Sequence, residues 1–442
     1  MAVFSLDVIR ARKGDCLMLH YGTEEVRLMM IDGGPKGVYV PHLKPRIEQI
    51  RAARKVAPNK PMIVDRLMVS HIDDDHIRGI LDLTSDLISA QGDHKAGLVR
   101  VLDFWHNSFE NVMGETPPEL TAALKSPEGQ ASLGVDLSDI KIEVEGEDEE
   151  TVVSSMKVLA SIQQGEQLRS DVINALGVSL NTGFPNTGDE GGLIMAKEED
   201  NLREVGNGLS LTVVGPMLPE LKKLQADHQK WLEELKKAGK TAEDVLSAYA
   251  DKSVPNLSSI VVLAKFDDKK ILFTGDARGD KILEGLELVG ELEEGGKIEV
   301  DVLKVPHHGS SNNLEKDFFE RIIADHYVFS GNGEHGNPER ESLEWLLEAR
   351  GNDDYEVHLT YPIDEIDAAR EAEWNKQQTR EKNRQQKAKK AGKSGKEPRE
   401  DWSHDEHSLE VLLAANPDFK AKFRFVEEDE RHVIDLLDEL GY

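Results

Sequence analysis

The apolar run over residues 62–69 ends in Ser70-His71-Ile72-Asp73-Asp74-Asp75-His76, a cluster of two histidines and three carboxylates. No other feature constrains the fold as much. A loop this rich in ligands directly after a strand aims nitrogen and oxygen donors at one point, a composition that suits a divalent metal site and, with this many donors, a pair of ions. Two further strand ends carry the same signature: Thr274-Gly275-Asp276, and Val305-Pro306-His307-His308-Gly309-Ser310. A fold that brings three strand ends to one edge is required to use them together. Read structurally, residues 71–76 could be an acidic capping turn ahead of a helix. A cap needs neither histidine.

At 442 residues the chain exceeds the usual single-domain length, which predicts one large core with insertions or two to three units. The formal charge is −30, from 54 Lys and Arg against 84 Asp and Glu, and apolar residues make up 38%. That describes a strongly acidic protein with enough apolar material for a core. The first residues meet acid at Asp7 with no long apolar stretch, so no signal peptide is expected. No run reaches the 18 or so apolar residues of a membrane span. The single cysteine, Cys16, excludes an internal disulfide and a cysteine-rich zinc cluster, and a reducing cytoplasm is the expected compartment.

Short apolar runs at residues 4–9, 16–21 and 26–31 predict a strand meander, closed by Asp32-Gly33-Gly34-Pro35. Helical spacing over 42–54 is followed by a strand over 64–69, a helix over 80–88 and a strand over 98–105. Residues 1–110 thus read as one half of the fold, and the irregular stretch 111–205 as an insertion. Strands over 209–215, 258–266, 271–274, 300–305 and 326–330, with a helix over 339–350, form a second half spanning 206–365. A charged helical excursion over 219–250 interrupts it. Residues 366–442 read as a C-terminal extension. Within it, residues 374–396 hold nine Lys and Arg against one acid, the pattern of an exposed helix or linker.

His71 and Asp73 can serve one ion, and Asp75 and His76 its neighbour. Asp276 is the candidate bridge, and His307, ahead of His308, completes the second site. Two cations bring a shared water close to neutral pKa, which makes hydroxide the expected nucleophile, and they clamp the attacking and leaving oxygens of a displacement at phosphorus.

The order HxDxDH, TGD and VPHHGS resembles the metallo-β-lactamase superfamily. It is more similar still to the hydrolase domain of ComEC-type DNA-uptake competence proteins and their soluble relatives. Lys13-Gly14-Asp15-Cys16 with Met30-Ile31-Asp32-Gly33-Gly34 resembles the family's opening hairpin. Asn256-Leu257-Ser258-Ser259-Ile260 resembles the strand before its TGD hairpin, and residues 330–338 its last active-site loop. The resemblance covers residues 1–110 and 206–350. It implies an αββα sandwich of two mixed sheets with helices outside, and a dinuclear site at one edge. Carried over by position, His71 and Asp73 are first-site ligands, Asp75 and His76 second-site ligands, Asp276 the bridge and His307 the last ligand, with Zn²⁺ or Mn²⁺ as the ions.

Asp73 stands where the superfamily's commonest pattern has histidine, which hardens the site and makes Mn²⁺ plausible beside Zn²⁺. Asn337 stands where relatives often carry histidine, so either His335 substitutes or that contact is lost. His106, after the strand over 98–105, is the expected remaining first-site ligand; a half-buried histidine beside Trp105 is its structural alternative. His94 and His228 are weaker candidates. Asp75 and His308 are the candidate catalytic residues, His308 through second-sphere or substrate contact. Lys304 is expected to be solvated, Asp15 and Asp32 to fix hairpin turns, and Ser310 to cap the following helix.

The expected function is metal-dependent hydrolysis of a phosphodiester in nucleic acid or a nucleotide. Such domains also occur as effectors in bacterial conflict systems, an analogy of fold only. Hydrolysis of a carboxylic ester, lactone or thioester is the second reading, and a metal-stabilised interaction or regulatory module the third. A charge of −30 repels phosphate polymers unless basic groups cluster, and aromatic residues are only 5%, which leaves little stacking surface. Residues 374–396 could form a nucleic-acid arm. That segment or the insertion 111–205 could also contact a protein partner.

Overall fold

The computed structural model describes residues 2–108, 161–184, 192–219, 221–222, 258–390, 397–426, 428 and 430–442. The N-terminal runs form the expected meander, β1 (Val3–Val8), β2 (Leu17–Gly22) and β3 (Arg27–Ile31). The expected strand over 64–69 is instead two, β4 (Met62–Val64) and β5 (Arg66–Val69), and that over 98–105 is β6 (Val99–Val101) and β7 (Asp103–His106). The breaks have a physical cause. At the first, Asp65 turns its carboxylate inward to the Arg27 guanidinium and the Tyr21 hydroxyl; at the second, Leu102 is exposed and the next residue, Asp103, opens β7 by pairing with Arg66 at 3.0 Å while accepting from the Trp105 indole. Continuous pleating would point these side chains elsewhere.

β8 (Ser179–Leu180) ends the first sheet; β9 (Leu202–Gly206), β10 (Leu209–Gly215), β11 (Val261–Phe266), β12 (Lys269–Phe273), β13 (Ile298–Lys304), β14 (Ile322–Phe329), β15 (Glu356–Leu359) and β16 (Phe423–Phe425) form the second; and β17 (Val433–Asp435) returns to the first. Among the described residues, sheet one runs β17-β1-β2-β3-β5-β7-β8 and sheet two β16-β15-β14-β13-β12-β11-β10-β9, both mixed, with β4 and β6 paired separately.

Alternation along the strands divides the core into three. Phe4, Leu6, Met29, Met68, Trp105, Val262, Phe273, Val302 and Val328 interdigitate between the sheets. The opposite face of sheet one packs on α1 (Lys44–Ala53) and α2 (Asp74–Gly92) through Ile47, Ile50, Ile77 and Ile80. The opposite face of sheet two packs on α3 (Gly279–Leu288), α4 (Lys316–Arg321) and α5 (Arg340–Arg350) through Ile282, Leu286, Phe318, Leu343 and Leu346. The result is an α/β sandwich layered helix, sheet, sheet, helix.

Three boundaries differ from the sequence reading. Parts of the stretch 111–205 belong to the sandwich: a helix over 161–170 lies beside the 71–76 loop, β8 extends sheet one and β9 sheet two. Residues 109–160 and 185–191 lie outside the described residues, as does nearly all of the excursion 219–250. The C-terminal segment is likewise built in, since β16 adds to β15 and β17 to β1. The basic stretch 374–396 continues the 28-residue helix α6 (Ile363–Lys390), and residues 391–396 lie outside the described set. Among the described residues no helix is long and apolar enough to cross a membrane.

Candidate metal centre

The loop after β5 turns straight into α2, whose first turn carries Asp74 and Asp75, so that helix begins well before the expected residue 80. Asp73 occupies the N-cap position, yet its side chain makes no capping bond; Oδ1 accepts from the Ser161 hydroxyl at 3.3 Å. Asp74 accepts from Gln164 at 2.9 Å. The helix start is held against the N-terminal hairpin at van der Waals limits. A Cβ on Gly14 would sit 1.8 Å from the Asp75 carbonyl oxygen, and one on Gly79 would sit 1.9 Å from that of Gly33.

Asp276 lies at the focus. Its Oδ1 stands 3.2 Å from His76 Nε2 and 3.5 Å from His308 Nε2, while Oδ2 stands 3.6 Å from His71 Nε2 and 3.7 Å from His307 Nε2. Asp75 Oδ2 approaches His308 Nε2 at 3.7 Å, and Asp73 Oδ2 approaches His71 Nε2 at 3.8 Å. One donor set therefore gathers about each oxygen of Asp276. His76 and His308 lie on the Oδ1 side and His71, His307 and Asp73 on the Oδ2 side, while Asp75 stands between the sets, 3.7 Å from His308 and in a group with His71 and His76 whose ligand atoms lie within 4.8 Å of one another. The sequence reading placed His307 with Asp75 and His76 and left His308 in a second sphere or against substrate. The geometry exchanges them, because His307 and His308 both adopt left-handed backbone (φ 48° and 54°) ahead of Gly309, which turns the His308 ring inward. Two consecutive non-glycine residues there cost roughly 1–2 kcal/mol each, strain of the kind that collects at functional sites.

Each inward ring is oriented through its other nitrogen. His76 Nδ1 lies 2.8 Å from Asp32 Oδ2, and Asp32 accepts from both the Ser70 amide and its hydroxyl at 2.7 Å. His71 Nδ1 lies 3.1 Å from Ser70 Oγ, and His308 Nδ1 lies 2.8 Å from Ser330 Oγ. Ser330 in turn donates to Asp15, whose other oxygen pairs with Lys304 Nζ at 2.7 Å. With both hydroxyls donating to carboxylates, the protons of these rings sit on Nδ1 and the Nε2 lone pairs face the centre. Asp15, Asp32, Ser330 and Lys304 are thus members of the site. Asp15 joins His76, Asp276 and His308 in a group whose ligand atoms all lie within 4.8 Å of one another. Lys304 is buried rather than solvated, and Asp15 and Asp32 do more than fix turns. Spacing could not reveal this, since Asp15 and Ser330 are 315 residues apart.

The donor set fits divalent ions. Among the described residues, His71 Nε2, His76 Nε2, His308 Nε2 and Asp276 Oδ1 are buried and meet no partner with hydrogen-bond geometry, an arrangement that is expensive unless something else meets those atoms. The charges agree. Burial opposes the charge on Asp276, yet the surrounding rings of His308, His76, His307 and His71 hold it well below the usual carboxylate range. Burial, with Asp75 and Asp276 nearby, pushes Asp73 up to about 7. Burial and the neighbouring His76 push His71 down to about 3. His76 goes the other way: burial opposes its charge, but Asp276 and Asp32 raise its pKa well above the ordinary value.

His106 ends β7 in register with Val69, two residues before His71, and burial pushes its ring down to about 4. The Gly165 backbone lies beside the ring and opposes this shift. It belongs neither to the group of Asp15, His76, Asp276 and His308 nor to that of His71, Asp75 and His76, so its ring stands apart from the donors gathered there. Asn337 donates through Nδ2 to the His307 carbonyl at 3.3 Å, which bolsters the loop without offering a ligand. His335 turns to a cleft with Arg370, Trp374 and His407, so it does not replace the missing histidine. Ser310 precedes the turn Ser311–Asn313 without a side-chain capping bond. Ser259 accepts from the Asp276 amide at 3.2 Å; Asn256, from the same motif, lies outside the described residues.

Comparison with descriptions of protein families finds none that matches the chain. A 93-residue stretch is 36% identical to microtubule-associated protein 1A of rat and of mouse, with the human protein matching to the same extent. That stretch is 21% of this chain and 3% of those proteins, so the chain spans only a small fraction of the relatives it matches.

Proposed function

We propose that the chain is a metal-dependent hydrolase of the metallo-β-lactamase type, acting on a phosphodiester in nucleic acid or a nucleotide. The observation that carries this reading is the division of the donors between the two oxygens of Asp276, with buried, orphaned imidazole nitrogens on both sides. His71, Asp73 and His307 would hold one ion, Asp75, His76 and His308 the other, with Asp276 between them. Two such ions, when bound, supply Lewis acidity and lower the pKa of a water towards neutrality.

The chain's own residues do the rest. Asp32, Ser70, Ser330 and Asp15 hold three rings in one tautomer, so reorganisation during the reaction is small. The carboxylate at Asp73 in place of an imidazole adds negative charge and favours harder ions, which suits displacement at phosphorus. Lys13, whose charge acts on Asp74, Asp75 and Glu334, is the rim cation suited to a substrate phosphate. The acidity of the whole chain favours a short or single-stranded substrate over duplex.

The test incubates purified protein and the Asp276→Ala variant with Mn²⁺ or Zn²⁺ and bis-p-nitrophenyl phosphate, single-stranded DNA, RNA, plasmid and a lactone. Cleavage of a phosphodiester by the parent alone is expected. Lactone opening without phosphodiester cleavage would move the reading to ester chemistry.

A further inference from the structure

A second group of ligands lies on β14 and β15, separate from the centre at the strand ends. His326 and Glu356 are register partners across the two strands, and His358 follows Glu356 by two residues, so all three point to one face of sheet two. That face looks towards sheet one, because Val328, two residues after His326, belongs to the core between the sheets, whereas Tyr327, Phe329, Val357 and Leu359 belong to the opposite face.

His326 Nδ1 is 3.0 Å from His358 Nε2, and Glu356 Oε2 is 3.5 Å from the first and 3.6 Å from the second. Ligands about 2.0–2.1 Å from a tetrahedral Zn²⁺ stand roughly 3.4 Å from one another. The three edges therefore already have the dimensions of one face of such a tetrahedron. Two of the three ligands are also oriented from behind. His432, just before β17 in sheet one, places Nε2 2.7 Å from His358 Nδ1, so that His358 presents Nε2 to the group. Arg424 takes Glu356 Oε1 at 2.6 Å and leaves Oε2 directed at the two rings. The His326 and Glu356 side chains are 23% and 34% exposed, so an ion has a path in and a fourth position open to water.

We propose that His326, Glu356 and His358 form a mononuclear site for a borderline-soft divalent ion of the Zn²⁺ class, with His432 as the residue that positions His358. A carbonyl- or water-preferring ion such as Ca²⁺ is disfavoured by two imidazoles against one carboxylate. Because His358 reaches His432, an ion here ties the β14–β15 pair to the segment that enters β17 and so braces the two sheets where the C-terminal segment closes them.

Equilibrium dialysis of the full chain against Zn²⁺, followed by metal analysis, tests this. The His326→Ala/His358→Ala variant is expected to bind one ion fewer than the parent, and His71→Ala/Asp276→Ala to keep one ion that adding His326→Ala removes. Should the buried His358 substitution prevent folding, the partly exposed His326→Asn alone is expected to show the same loss of one ion, with unchanged circular dichroism. Unchanged stoichiometry in a folded His326 variant overturns the proposal. The two centres are read separately, because substitutions at one leave the ions of the other in place.

Discussion

His76 Nε2 faces Asp276 Oδ1 at 3.2 Å across a buried gap in which, among the described residues, neither atom meets a partner with hydrogen-bond geometry. The ring's other nitrogen is already held by Asp32 at 2.8 Å. Such geometry is what a coordination sphere leaves when its two ligands are not bonded to each other. Asp276→Asn keeps the shape but removes the shared charge. It is expected to lower the metal held at this centre from two ions to one or none and to reduce hydrolysis by at least about 100-fold, checked by metal analysis in the His326→Ala background beside steady-state rates. Unchanged metal content would mean that Asp276 is not the bridge.

Residues that only orient the rings should weaken the centre without destroying it. Asp32→Ala frees His76 Nδ1 and leaves the Ser70 donors unmet, and Ser330→Ala does the same behind His308. Each is expected to weaken metal binding by about 10–100-fold. Excess metal should restore most of the rate, which separates orientation from ligation.

Lys304 and Asp15 form a buried pair at 2.7 Å, with side chains 1% and 2% exposed. Burial disfavours the Asp15 charge, but Lys304 and His308 hold its carboxyl far below the usual range. Lys304→Met would leave that charge buried and unmatched, at a cost of about 3–5 kcal/mol in urea unfolding of the metal-free protein. The double variant Lys304→Met/Asp15→Leu should recover a large part of the loss. If the double variant were as unstable as the single, packing of the lysine stem, not charge, would be the cause.

Chelated protein should lose stability in mild acid. His106 is pushed down to about 4 and His71 to about 3, in each case first by burial, whereas both titrate near 6.5 when unfolded. Between these values the unfolded chain binds protons that the folded chain does not. The stability from the neutral rings is therefore complete above about pH 6.5 and drains away as pH falls. His106 alone accounts for about 2–3 kcal/mol by pH 4.5. The urea midpoint of His106→Gln should accordingly fall less steeply from pH 7 to 4.5 than that of the parent. Parallel slopes would show that His106 is not a buried neutral ring.

Much of the centre was legible in the residues themselves. His71, Asp73, Asp75, His76 and Asp276 follow apolar runs that could only be strands, and ligands at strand ends converge whenever the strands share an edge. What stayed hidden depends on contacts distant in sequence. Lys304 reads as an ordinary strand lysine until Asp15 is placed beside it, and Ser330 gains its role only between Asp15 and His308. The integration of residues 161–184 and 192–205 and of the C-terminal segment was equally invisible, because β8, β16 and β17 are two or three residues long and too short for a periodic signal.

The amino-acid order alone therefore settled which donor atoms exist and that they emerge together at the ends of apolar strands, since side-chain chemistry and two-residue alternation are local properties. Folding settled which imidazole faces which oxygen of Asp276. That choice rests on left-handed backbone at His307 and His308 and on the partners waiting behind each ring. Those are set by the packing of two sheets whose strands lie hundreds of residues apart.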